Sequence, residues 1–420
     1  MRRLLLAVTA AVTVAAGVLA GCSSSHPADI TVGTLYPTAG PQGPQGQEEQ
    51  HGVQLAADWT NTHGGINGHQ LRLVSAGPLD RPEQIPDAMA ALRRRGISVV
   101  IGSHGSDFSR VAADVASKTN MMLWETGAVG ESDGGVIGGS HFIRMSPMGA
   151  NLGKTAVDFV KYGMTGKLPA GPTPLRWAIA YVNDAYGRAV AGGAAAEAVA
   201  TGQPVVATFP YQQTGTDFTA LAGRIAAAHP DVLYVSAYLE DGTSLRRALV
   251  AGHVPLVLNL GTSSSYCMPE FGQRLGLDAV GVYASDKPDA AAVRPDALSP
   301  EGRAALSWVA PRYQSLYHVD MTSHALSGFS NAYALLEHVL PLAGRADPGA
   351  VAAAAQKVKL PIGTLANGGG MDIAPTGAPD AGNNRNAAGV VEEWVAPGQM
   401  DVVWPLAFAT HAITYVPIDR

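Results

Sequence analysis

The stretch "ITVGTLYPTAGPQGPQGQEEQHGVQLAADWTNTHGGINGHQLRL", Ile30 to Leu73, decides the fold class. Ile30 to Tyr36 is rich in residues that suit a strand. Gly40, Gly43 and Gly46 then fall three apart with Pro-Gln between them, which is collagen's spacing. A triple helix needs that glycine period over a long run, and here it stops at Gly46. The glycines and prolines instead serve a sharp turn from a strand end into a helix. From Gln47 to Thr62, Gly52, Val53, Leu55, Ala56, Ala57 and Trp59 share one side at helical spacing, with Gln54, Asp58 and Asn61 opposite. "GGING", Gly64 to Gly68, stops that helix, and "LRLVSA" begins the next strand.

The same alternation continues outward. Short apolar segments ("SVVIG", "MMLW", "RWAIAYV", "PVVATF", "DVLYVSA" and "PLVLN") are separated by one-faced helices. Their stripes are Ile85, Ala88, Met89 and Leu92; Phe108, Val111, Ala112 and Val115; and Phe218, Leu221, Ala222 and Ile225. Buried strands alternating with such helices imply an α/β fold whose parallel sheets are covered on both faces. Breaks near Pro147 and Ser285 divide the chain. The segment from Asp286 to Ser299 is loop-like, and two helices follow, over 300–317 and 322–343. The glycine-rich end, 363–420, carries the strand-like "GVVEEWV" and "MDVVWP".

A chain of 420 residues that is 47% hydrophobic can bury a large core, and its length favours two domains. The net charge of −6 disfavours nucleic acid as a partner, because phosphate recognition uses a basic face. Motifs for chemistry fail on spacing. "GANLGKT", Gly149 to Thr155, has three residues between its glycines where a phosphate loop needs four. There is no GxSxG elbow and no GxGxxG, and the 12 histidines form neither an HExxH pair nor a Cys/His cluster. Catalytic residues can converge from distant positions, but an enzymatic reading is left without positive support, and the expectation is no enzyme, no metal and no cofactor.

Arg2 and Arg3 precede an apolar run from Leu4 to Ala20, the pattern of a secretory signal. "LAGC", Leu19 to Cys22, resembles the bacterial lipobox, which implies cleavage after Gly21, a lipid on Cys22 and a polar tether over 22–28. With Cys22 lipidated, Cys267 has no disulfide partner and is expected to be a small buried hydrophobe.

The pieces "TAGPQGPQGQEEQHGVQLAADWTNTHGGINGHQLRL", "VVIGSHGSDFSRVAADVA", "FIRMSP", "NDAYGRAV", "GTDFTALAGRI" and "PDVLYVSAY" resemble, in order and spacing, the leucine/isoleucine/valine-type (type 1) periplasmic binding proteins of ABC importers. The resemblance implies two α/β lobes joined by three crossovers, closing on a small solute like a flytrap. Lobe 1 would be 29–147 with 286–362, and lobe 2 would be 148–285 with 363–420, the third crossover falling near Gly363. Ligand in such folds lies at the C-terminal ends of the strands.

Carried over by position, Ser106 matches the serine that holds the ligand carboxylate, although a serine there would also cap the following helix. Gly127, Ala128 and Val129 match the loop whose backbone grips the same carboxylate. Tyr186 and Tyr238 match two tyrosines of the second lobe, and Gln45 stands where relatives place a rim aromatic. Relatives that bind amino acids carry an acid for the ligand ammonium in the stretch corresponding to "LNLGTSSSY", Leu258 to Tyr266, and this stretch has none. Glu125, Asp184, Glu240 and Asp241 are the substitutes nearby. The resemblance implies an extracytoplasmic, lipid-anchored protein that captures a small polar solute, an amino acid or amide-like molecule, for an ABC permease. A sensor of the same fold signalling through a membrane partner, and an extracellular hydrolase, are the alternatives.

Overall fold

The computed structural model describes residues 29–130, 141–168, 174–291 and 293–418. The signal, the tether and Cys22 lie outside them. Each segment read as a strand forms one. The first sheet has the order Leu71–Ser75, Ile30–Leu35, Val99–Gly102, Met122–Glu125, Phe142–Arg144, all parallel. The second has seven strands in the order Gln399–Trp404, Val390–Ala396, Tyr283–Asp286, Leu258–Thr262, Val232–Ser236, Trp177–Val182, Val205–Tyr211. Its five strands up to Asp286 are parallel, and the last two form an antiparallel hairpin at one edge.

Strand side chains alternate between faces, and in the first sheet the two faces are sealed by different helices. Val99, Ile101, Met122 and Trp124 enter one core with Val53, Ala56, Leu326 and Phe329, from helices Gly43–Thr62 and Ser323–Tyr333. Val100 and Leu123 enter another with Met89, Leu92, Phe108 and Ala112, from helices Ile85–Arg94 and Ser106–Thr119. The helices over Gly43–Thr62 and Ser323–Tyr333 approach very closely. A Cβ on Gly52 would fall against the Ala325 carbonyl oxygen, and one on Gly328 against the carbonyl oxygen of Glu49. The second sheet has its own core, which takes in Trp177, Val235, Leu260 and the buried Cys267.

The chain crosses between sheets after Phe142–Arg144, where helix Gly149–Asp158 joins the second core through Leu152 and Ala156. It returns at Asp286–Lys287, since Val293 and Leu298 pack in the first core. The third crossing is not near Gly363. Leu365, Ala366, Met371 and Ile373 remain in the first core, and Lys359–Leu360 pairs antiparallel with Met371–Asp372. Asn384 Nδ2 donates to the carbonyls of Met145 and Gly370, holding that segment to the first lobe. The chain rejoins the second sheet only at Val390–Ala396. The glycines from 363 to 370 turn a hairpin rather than mark a linker; Gly370, for instance, packs against the backbone of Leu360 and Pro361 with no room for a Cβ.

Both sheets reverse strand order at one place. In the first, Ile30–Leu35 lies between Leu71–Ser75 and Val99–Gly102; in the second, Trp177–Val182 lies between Val232–Ser236 and Val205–Tyr211. Loops that leave the carboxyl ends on either side of such a reversal diverge and open a crevice. The loops so selected lead into residues 36–42, 103–105, 183–185 and 237–238, and they meet between the lobes.

Candidate functional site

The carboxyl end of Met122–Glu125 sets the first wall. Glu125 is fully buried and accepts on both oxygens. Oε1 takes the N–H groups of Gly127 and Ala128, each at 2.9 Å. Oε2 takes Ser103 N at 2.8 Å, Ser103 Oγ at 3.1 Å and Ser109 Oγ at 2.6 Å. One carboxyl group therefore ties loop 126–128 to loop 103–105. Burial, with the nearby Glu49 charge, pushes its proton affinity up, and these hydrogen bonds oppose the shift. The amides of Gly127 and Ala128, expected to grip a ligand, are thus occupied within the protein.

Gly127 also rests on Glu49, whose carboxylate fills the place a Cβ would take. Glu49 comes from helix Gly43–Thr62 and receives His104 Nδ1 on Oε2 at 2.7 Å. Burial drives the Glu49 carboxyl up, but the His104 hydrogen bond and charge, with Lys287 and His324, carry it below its ordinary range. Burial lowers His104 against the pull of Glu49. His104 is held at φ +71°, a left-handed conformation that costs a residue of this kind about 1 kcal/mol or more. The Glu49 contact fixes it there.

Ser106 is the first residue of its helix, and Gly105 takes the capping position. The serine side chain does not cap; its Oγ accepts the Gly130 N–H at 2.9 Å and lines the cleft. The second lobe supplies Tyr186 and Tyr238, with ring centroids 5.4 Å apart. Tyr238 OH donates to Asp184 Oδ2 at 2.8 Å, and Asp184 also caps helix Ala185–Ala200 through Gly187 N. The Tyr186 hydroxyl is buried beside Ser236, Ser263 and the backbone of Ser264, with no hydrogen bond of good geometry.

Between the walls lies a space lined by Ser106, Gly127, Val129, Tyr186 and Tyr238, and also by Gln42, His104, Gly105, Ser263, Ser264, Lys287 and His324. Ala128 and Gln45 stand outside it. Gln45 instead reaches across the interface, its Nε2 3.4 Å from Met268 Sδ, while Gln42 Nε2 reaches Tyr238 OH at 3.5 Å. The space is about 20 Å³, enough for one or two waters, so the lobes must part to admit a solute. A larger cavity of about 620 Å³ adjoins it past His324, which lines both, and carries Glu48, Glu270, Asp289 and Glu392.

The acids proposed as substitutes for the missing one are engaged elsewhere. Glu125 and Asp184 are bound as described, and Glu240 pairs with Arg274 at 2.7 Å. Asp241 accepts Tyr211 OH at 2.6 Å and the Tyr238 N–H at 3.1 Å. Lys287, His104, His324 and Gln42 escaped the sequence reading. His104 sits in the same strand-end loop as Ser106, and Lys287 directly follows Tyr283–Asp286, so the strand-end rule applied to every strand would have found both.

Burial raises the Asp241 carboxyl from 3.8 to about 6 against the hydrogen bonds of Tyr211 and Tyr238. Between those values the folded state holds more protons than the unfolded chain, so stability falls as pH rises through this window. The contribution, present below about pH 4, is lost above about pH 6 and amounts to roughly 2–3 kcal/mol. Denaturant titrations from pH 4 to 7 should show this slope, and Asp241→Asn should lessen it, with the rest left to other raised carboxyls such as Glu393, pushed up to about 7.

Among the described residues there is no cluster of metal-ligating side chains and no helix long and apolar enough to cross a membrane. A periplasmic binding protein family model matches residues 29–382. The Leu/Ile/Val-binding protein homolog 8 of Brucella abortus is 26% identical over 381 residues, covering 90% of this chain and 91% of that protein. A leucine binding protein from Thermotoga maritima superposes with a TM-score of 0.72 at 17% identity, covering 89% of this chain and 97% of the other. An ABC transporter solute binding protein from Rhodopseudomonas palustris, in complex with benzoate, gives 0.68 at 16% identity over 93% and 99% of the two chains. Its relatives bind solutes rather than transform them. The chain belongs to the periplasmic binding protein family, in the type 1, leucine/isoleucine/valine class.

Proposed function

We propose that this protein captures a small polar solute bearing a carboxylate outside the cytoplasm, held to the membrane by a lipid on Cys22, and delivers it to an ABC importer. The observation that carries the reading is the meeting of two strand-order reversals across one cleft, where Ser106 and the 126–130 loop face Tyr186 and Tyr238. Ser106 would present its hydroxyl, beside the start of helix Ser106–Thr119, to the carboxylate. The tyrosines would close over the body of the solute, each offering an apolar ring with one polar tip. Transport energy would come from the importer's ATPase.

A thermal-shift screen of the purified chain against small carboxylates and amino acids tests this. A specific solute at a hundred times its Kd should add about 2.7 kcal/mol of stability. Ser106→Ala should weaken that solute about 10- to 100-fold, the equivalent of one hydrogen bond to a charged group. Turnover of esters or amides by the purified protein, with no stabilising solute, would contradict the reading.

A further inference from the structure

Lys287 has no part in the reading of the cleft by position, yet among the described residues it is the lining's one lysine or arginine. It stands at the second crossing between lobes, immediately after strand Tyr283–Asp286, with 3% of its surface exposed. Its Nζ donates to the Gly127 carbonyl at 3.3 Å. That carbonyl belongs to the loop that would hold the solute's polar head, and among the described residues no carboxylate lines the cavity. Behind the lining, Glu49 Oε2 accepts His104 and Glu48 accepts Thr322 and faces His324, while Glu49 Oε1 is buried without a hydrogen-bond partner. Asp286, the neighbour of Lys287, directs Oδ2 to Ser323 at 3.5 Å and leaves Oδ1 buried without a hydrogen-bond partner, and the charges of Lys287 and His324 act on it.

A solute with both a carboxylate and an α-ammonium would bring a second cation against Lys287. Its ammonium would have to share the Gly127 carbonyl with Lys287, and two like charges crowded in one buried site are costly. A solute with the carboxylate alone gains the lysine as a counter-charge. Resting on the solute-binding reading above, we propose that Lys287 is a specificity residue: it supplies the cleft's own ammonium, so the protein selects small carboxylates that lack an amino group over the matching amino acids.

Calorimetric titration of the full chain with matched pairs tests this: isocaproate and leucine, isovalerate and valine, hydrocinnamate and phenylalanine. In any pair that binds, the member without the amino group should bind at least tenfold tighter. Lys287→Met, which keeps the stem and removes the charge, should weaken that member at least tenfold and narrow the gap. Lys287→Gln provides a second neutral side chain, with circular dichroism as the check on folding, and the wild-type preference stands without either variant. Tighter or equal binding of the amino acid, or an unchanged gap in a folded Lys287 variant, overturns the proposal and leaves solute binding intact. No binding by any member of the three pairs overturns the proposal together with the carboxylate reading on which it rests.

Discussion

Glu125→Ala is expected to lose about 3–5 kcal/mol of stability and to bind no solute. The side chain is fully buried and accepts three backbone N–H groups, from Ser103, Gly127 and Ala128, and two serine hydroxyls. The hydroxyls can turn elsewhere. The backbone donors cannot, and each buried donor left unsatisfied costs roughly 1–3 kcal/mol. Loops 103–105 and 126–128 would then part, taking with them the positions of His104, Ser106 and Gly127. Glu125→Gln keeps the shape and one acceptor oxygen, so it should lose less, about 1–2 kcal/mol. Denaturant unfolding monitored by circular dichroism measures both, with binding measured on the folded fraction. A Glu125→Ala protein as stable as the wild type would show that water satisfies these donors without loss.

Gly328→Val should be at least as damaging, by overpacking. Helix Ser323–Tyr333 meets helix Gly43–Thr62 backbone to backbone at Gly328 and Gly52. A branched side chain at Gly328 would meet the main chain of Glu49, which cannot step aside as a side chain can. Overpacking in cores costs about 1–3 kcal/mol where side chains yield, and 3 kcal/mol or more is expected here. The helix displaced is the one that carries Glu48 and Glu49, so His104 loses its anchor and binding falls with stability. Gly192→Ala is the control: Gly192 lies within helix Ala185–Ala200 with no atom near the added methyl, and it should gain up to about 1 kcal/mol. Thermal melting of the two variants side by side decides the matter; equal melting temperatures would refute the packing argument.

The contrast between these two glycines also shows what a sequence displays and what it hides. Strands such as Val99–Gly102 and Met122–Glu125 were visible because both faces are buried and their residues are uniformly apolar. Helix Ile85–Arg94 was visible because one face is apolar and the other charged. Such periodicities arise from burial, which the sequence encodes locally. The close helix contact at Gly52 and Gly328 depends on residues far apart in the chain, and nothing at either position announces it. The glycines from 363 to 370 misled for a related reason. Glycine marks a sharp turn equally well in a linker and in a hairpin, and only the packing of Leu365 and Met371 against the first core separates the two.

The candidate site is partly legible for the same physical reason. Ser106, Gly127, Tyr186 and Tyr238 follow strand ends, and strand ends converge in a fold whose sheets reverse order. Gln45 stands outside this space because one helical turn separates the cleft wall, where Gln42 stands, from the interlobe contact with Met268. Glu125 is among the acids near the strand ends. Its burial, with five hydrogen bonds on two oxygens, makes it the brace of the loops.

The central claim is that solute is held between two lobes that close on it, and hydrogen exchange tests it most directly. With saturating solute, amide protection should rise together in 103–108 and 126–130 on one lobe and in 183–188, 236–242 and 262–266 on the other. The outer helices, such as Ile85–Arg94 and Phe218–Ala227, should exchange as before. Protection confined to one lobe, or appearing away from the cleft, would contradict the account.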